Sequence, residues 1–146
     1  MVIIREYSQI EIAVKQIDTA CRIFITGEDF FSALTLAGAG EEILGKVLSV
    51  QGRQNSVENF AAAFALIKEI QTSHRPDQTE SIKALNKARN HAKHIDQSGS
   101  MSVQMDPEFE AENMLHRAIN NFAMLTGNFT DDMLAFLNGR HKGKRA

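Results

Sequence analysis

Apolar and polar positions recur along this chain with helical spacing, and start and stop residues punctuate the pattern. Ile10, Ala13, Val14, Ile17, Cys21 and Phe24 follow three- and four-residue steps and form one stripe of a helix over residues 9–25. Ser8 and Glu11 make a capping box at its start, and Gly27 stops it. A second helix over residues 29–50 is apolar around most of its circumference, with Phe30, Leu34, Ala37, Leu44 and Leu48 on one side and Leu36, Ile43 and Val47 on another. Such a helix belongs at the centre of a fold. Its Ala37-Gly38-Ala39-Gly40 segment lets a neighbour approach closely, at a cost in intrinsic helix stability. A third helix over residues 57–71, capped by Asn55 or Ser56, turns Val57, Phe60, Ala61, Phe64, Ile67 and Ile70 inward. His74-Arg75-Pro76 breaks the chain.

A fourth helix starts near residue 78 behind the cap pair Asp77 and Glu80. It presents Ile82, Leu85, Ala88, Ala92 and Ile95 to the core and is ended by Gln97-Ser98-Gly99-Ser100, with a mobile polar loop reaching Met105. Asp106-Pro107 opens a fifth helix over residues 108–125, with Phe109, Met114 or Leu115, Ile119 and Phe122 inward. After Gly127-Asn128, Thr130 caps a short sixth helix containing Met133, Leu134, Phe136 and Leu137. Only Val2-Ile3-Ile4 has any strand character, and there is no internal repeat. The expected fold is all-α: an antiparallel helical bundle of five longer helices plus a short C-terminal helix.

At 146 residues and 43% hydrophobic composition, the chain suits one domain with a real core. Residues 1–139 are assigned to the bundle and 140–146 to a basic, disordered tail. That tail, Arg140-His141-Lys142-Gly143-Lys144-Arg145, either contacts RNA phosphates or simply ends in solvent. A formal net charge of −2 means that nucleic acid would have to be held by a local basic patch. The lone cysteine, Cys21, allows no internal disulfide and no Cys-based zinc site, and its place on an apolar face marks a buried structural thiol. The N-terminal apolar run is too short for a signal peptide. No window approaches the roughly 18 apolar residues needed to span a bilayer. A soluble cytoplasmic protein without a membrane partner is expected.

Candidate chemistry concentrates in Leu85-Asn86-Lys87-Ala88-Arg89-Asn90-His91-Ala92-Lys93-His94, where ten residues hold two histidines, two lysines, one arginine and two asparagines. Guanidinium binds phosphate through a planar fork, and histidine moves protons near neutral pH. At about 100° per residue, Asn86, Asn90 and His94 share one stripe, and Arg89 lies between that stripe and the apolar face, near Lys93. Arg89 and His94 are then about 140° apart, so they converge only through side-chain length or across a dimer axis. His91 points away from the core, into solvent.

Glu41 lies seven residues after Leu34 and seven before Leu48, which puts a carboxylate on an apolar face. A buried carboxylate needs a partner. Either Glu41 reaches Arg89 or another cation of the fourth helix and orients it, or it stands at a water-filled seam. Glu42 beside it has Lys46 at the favourable i,i+4 offset.

Two other patterns are set aside. Gly40-Glu41-Glu42-Ile43-Leu44-Gly45-Lys46-Val47 fits phosphate-loop spacing, but Val47 replaces the hydroxyl that holds magnesium and no strand precedes it. His91, His94 and His116 with Glu41 or Glu42 suggest a metal site, but the carboxylate-bundle signature Glu-x-x-His is absent from the chain. No metal and no cofactor is expected.

The Arg89, Asn90 and His94 pattern, four residues separating Arg from His on a late helix of an all-helical domain, resembles the HEPN superfamily. The segment Ala37-Gly38-Ala39-Gly40-Glu41-Glu42-Ile43-Leu44-Gly45 also looks like second-helix stretches of bacterial members. The resemblance implies a helical homodimer with two Arg/His motifs in one cleft, and many members are metal-independent endoribonucleases. By that analogy His94 is general base or acid at the ribose 2′-hydroxyl, Arg89 stabilises charge on the scissile phosphate, and Asn90 positions one of them. Glu41, Asn86 and Lys93 are the supporting residues. RNA carries its own nucleophile, so positioning, proton transfer and charge stabilisation suffice. Other members do not cleave and bind a nucleotide or a protein partner, and a toxin-like nuclease would be held by an antitoxin-like protein. Three readings stay open: a ribonuclease, a non-catalytic binding module, and a helical dimer whose polar cluster seals an interface.

Overall fold

The computed structural model describes residues 1–95 and 99–139. Six helices follow one another: α1 (Gln9–Thr26), α2 (Phe30–Val50), α3 (Ser56–Thr72), α4 (Gln78–Lys93), α5 (Pro107–Thr126) and α6 (Asp131–Leu137). The architecture is an all-α bundle of five longer helices and a short sixth. Among the described residues there is no strand; Val2, Ile3 and Ile4 lie outside regular structure and are exposed. The tail at 140–146 and Gln97-Ser98 of the loop after α4 lie outside the described residues.

Local chemistry starts and stops these helices. Ser8 with Glu11, Asn55 with Glu58 and Asp77 with Glu80 each form a reciprocal capping box. Asp29, Asp106 and Thr130 accept from the backbone amide three residues on. Gly27 and Gly127 close α1 and α5 in the left-handed region, at φ 68° and 69°, where a side chain would strain the backbone.

Helix α2 is central, with α1 and α5 packed along it, and α6 closes over α1. Phe24 meets Phe30 and Phe136 edge-to-face, with ring centroids 5.2 and 5.3 Å apart. Leu34, Leu44, Leu115 and Ile119 fill the space between, and burying each such side chain contributes about 1.5–3 kcal/mol. Gly40 sets how close α1 can come: a Cβ there would lie 2.5 Å from Ile17 Cγ1 and 3.0 Å from the Ala13 carbonyl oxygen. Polar contacts pin α6, with Thr130 Oγ1 donating to Asp18 Oδ1 at 2.6 Å and Arg22 paired with Asp132 at 2.5 Å.

The α3–α4 hairpin is attached differently. Its helices pack mainly on each other, with fewer contacts to α2 and α5. To the main buried apolar cluster α3 gives no residue and α4 gives Ala88, with Ala92 packed against it. Several positions expected to face inward therefore do not. Ile67 and Ile70 are 53% and 78% exposed, because only the first half of α3 leans on the bundle. Phe109, on the first turn of α5, is 56% exposed. Helix α4 stops at Lys93, short of Ile95: His94 turns to an extended conformation, and Lys93, His94 and Ile95 are all exposed.

Candidate functional site

The hairpin is joined to the core by a buried polar network centred on Glu41. Glu41 is 3% exposed and lies between two guanidinium groups. Arg117 Nη2, from α5, donates to Glu41 Oε1 at 2.8 Å, and Arg89 Nη1, from α4, donates to Glu41 Oε2 at 3.3 Å. Three helices thus meet at one carboxylate, as a buried charge requires. Arg117 also reaches the hairpin directly, through Nη2 to Asn86 Oδ1 at 2.7 Å and Nη1 to the Leu85 carbonyl oxygen at 3.2 Å. Asn121 extends the network: its Nδ2 donates to the Glu41 carbonyl oxygen at 3.1 Å and its Oδ1 accepts from the Ser56 amide at 2.8 Å, which fixes the start of α3. Arg117 Nε is buried without a hydrogen-bond partner, a desolvation cost of about 1–3 kcal/mol.

Gly38 makes room for Arg89. A Cβ at Gly38 would lie 2.6 Å from Arg89 Cδ and 2.7 Å from Cγ, so the arginine stem crosses α2 where there is no side chain. The guanidinium then faces Glu41 and the Asn90 carboxamide, whose Oδ1 accepts from Nε and Nη2 at 3.4 Å each. The Arg89 side chain is 12% exposed, so part of it reaches the surface.

That part lines a cleft of about 230 Å³ between α2, α4 and the start of α3. Glu41, Glu42 and Lys46 form one wall, Asn86 and Arg89 another, and Ser49 and Asn55 add polar groups. Gly45 keeps the floor low: a Cβ there would already be in contact with the Asn55 and Asn121 carboxamides at 3.5 Å. Lys46 pairs with Glu42 at 3.3 Å. Partial burial pushes the Glu42 carboxyl up, but the Lys46 hydrogen bond and the charges of Arg89, Lys46 and Lys93 outweigh it and hold the group below its ordinary range. Three cations, Arg89, Arg117 and Lys46, stand against two carboxylates, Glu41 and Glu42, so the network keeps one positive charge in excess.

The structure therefore brings Arg89, Asn90, Asn86 and Glu41 together, and Lys93 acts on the same region through its charge. It does not bring His94 to them: His94 is the C-cap of α4, extended at φ −138° and ψ 143°, exposed, and outside the cleft lining. His91 is half-buried rather than turned fully to solvent. His116 packs on Phe136 with ring centroids 5.0 Å apart, and no group of three metal-ligating side chains occurs among the described residues. Burial pushes the Cys21 thiol up to about 12, as suits a structural thiol.

Arg117 and Asn121 are the residues that sequence reasoning missed. Their signal was available: Arg117 lies three residues after Met114 and four before Asn121, inside the buried stripe of α5, just as Glu41 interrupts that of α2. Among the described residues, no helix is long and apolar enough to cross a membrane. No protein-family model matches the chain, and neither does any curated protein or solved structure.

Proposed function

We propose that this chain is a HEPN-like module that takes an RNA phosphate in the cleft between α2 and α4, with Arg89 as the anion-binding group. The observation that carries the reading is the Glu41-centred pair of guanidinium groups. Glu41 is closer to Arg117 than to Arg89, so the excess positive charge falls on the arginine that reaches the cleft. A guanidinium already held by a carboxylate and a carboxamide loses little side-chain entropy when it binds phosphate. At about 230 Å³ the cleft suits a phosphate or sugar-phosphate better than a whole nucleotide, because ordinary small-ligand sites begin near 300 Å³. Lys46, Ser49 and Asn55 supply further donors.

Metal-independent endoribonuclease activity is the second reading, favoured by the exposure of His94 at the end of the helix that carries Arg89 and Asn90. In that case His94 of a second copy serves the cleft and moves the 2′-hydroxyl proton. A homodimer belongs to this reading.

The test is binding and cleavage of a mixed single-stranded and structured RNA pool in EDTA. Arg89→Lys and Arg89→Ala should weaken binding by about tenfold or more, since a charge-assisted bidentate contact is lost. Unchanged binding in both variants, with the helical fold intact, overturns the phosphate reading. Cleavage that His94→Ala abolishes without loss of binding establishes the nuclease; binding without cleavage leaves the module.

A further inference from the structure

We propose that the cavity between α3, α4 and the first turns of α5 binds an organic cation that carries its charge on an apolar body, such as an alkylated ammonium group. The cavity has a volume of about 320 Å³, enough for one small ligand. Phe60 and Phe64 of α3 and Phe109 of α5 line it, together with Glu110 and Asn113. It shares no lining residue with the Arg89 cleft, so it stands apart from the RNA reading.

Two observations select a cation. Aromatic faces attract positive charge, and Lys68 Nζ already lies 5.6 Å from the Phe64 ring centroid, so this ring accepts an ammonium group in the structure. Glu110, a half-buried acidic residue of the lining, supplies the second. Partial burial and the Asp106 carboxylate push its carboxyl up, against a smaller opposing pull from Arg117. Arg117 borders the cavity as well, but its Nη2 is 2.8 Å from Glu41 and its charge is engaged there. An anion in this space would meet Glu110. A neutral apolar molecule would dehydrate Glu110 further without giving it a partner. A cation beside the phenyl rings compensates the carboxylate.

The experiment compares choline with 3,3-dimethyl-1-butanol, which has the same shape without the charge, by titration calorimetry and methyl NMR shifts on the whole chain. Choline should bind about tenfold more tightly than the alcohol, the size of a desolvated cation–π and carboxylate contact. Glu110→Gln should remove most of that difference and leave alcohol binding unchanged. Phe64→Leu, which keeps the apolar volume, should weaken choline severalfold more than the alcohol. Choline binding should also fall as pH is lowered and Glu110 takes up its proton. Equal affinity for the two compounds, binding of neither, or a preference that survives Glu110→Gln overturns the proposal.

Discussion

Two parts of this molecule are held together by opposite means. Around α2, helices α1, α5 and α6 meet through leucine, isoleucine and phenylalanine side chains in a dry core. The α3–α4 hairpin meets the same α2 and α5 through Glu41, Arg117, Arg89, Asn86 and Asn121, and among the described residues Ala88 is its one buried member of the main apolar cluster. Apolar packing is graded: each methyl group removed weakens it by an increment. The polar joint is not. Each of its charges is tolerable only while the others stay, and removing one leaves the rest stranded away from water.

The sharpest way to break this contrast is Glu41→Ala. It leaves Arg117 buried and unpaired, and urea unfolding should show a loss of about 3–5 kcal/mol, with hydrogen exchange rising first in α3 and α4. Next comes Gly40→Ala in the dry part. Its Cβ would press on Ile17 and on the α1 backbone, neither of which can swing aside, so a loss of about 1–3 kcal/mol is expected by the same measurement. Gly38→Ala, on the polar side, should differ. The atoms in its way belong to a flexible arginine stem, and alanine gains roughly 1 kcal/mol of helix propensity. Stability should change by less than about 1 kcal/mol, while RNA binding falls because Arg89 has been moved.

Smaller still is Glu110→Gln. Its carboxyl has a raised pKa in the fold, so the folded state holds the proton more tightly than the unfolded chain does. Stability then drops as pH rises through the interval between the two pKa values. Replacing Glu110 should raise the melting temperature slightly at pH 7 and leave it unchanged at a pH where the carboxyl is protonated. Smallest of all, Cys21 should show no measurable reaction with a thiol reagent in the folded protein, because its thiol is pushed up to about 12.

What could be read from the chain follows the range of each interaction. The capping boxes at Ser8, Asn55 and Asp77 join residues three apart, and all six helices start near where local chemistry places them. Ile67 and Ile70 look like core by spacing and are exposed, because spacing reveals a face but not whether another helix covers it. Glu41 was legible as a carboxylate on an apolar stripe, and its reach to Arg89 was one of two readings that the stripe left open. The shorter bond to Arg117 was not, because it depends on how α5 is rotated against α2, which no single-helix pattern encodes. The separation of His94 from Arg89 was visible on the helical wheel; the early end of α4 at Lys93 was not.

The slot at Gly38 also gives this sequence a direction in which it can change. Arg89 can be shortened while Gly38 stays as it is, since an empty slot excludes nothing. The reverse order is obstructed: a side chain at position 38 collides with Cγ and Cδ of the arginine. Once position 38 has filled after a shortening at 89, an arginine restored by a single substitution can no longer lie across α2 beside Glu41. Loss of the guanidinium in a descendant of this chain would therefore tend to become permanent, a ratchet built from one missing methyl group.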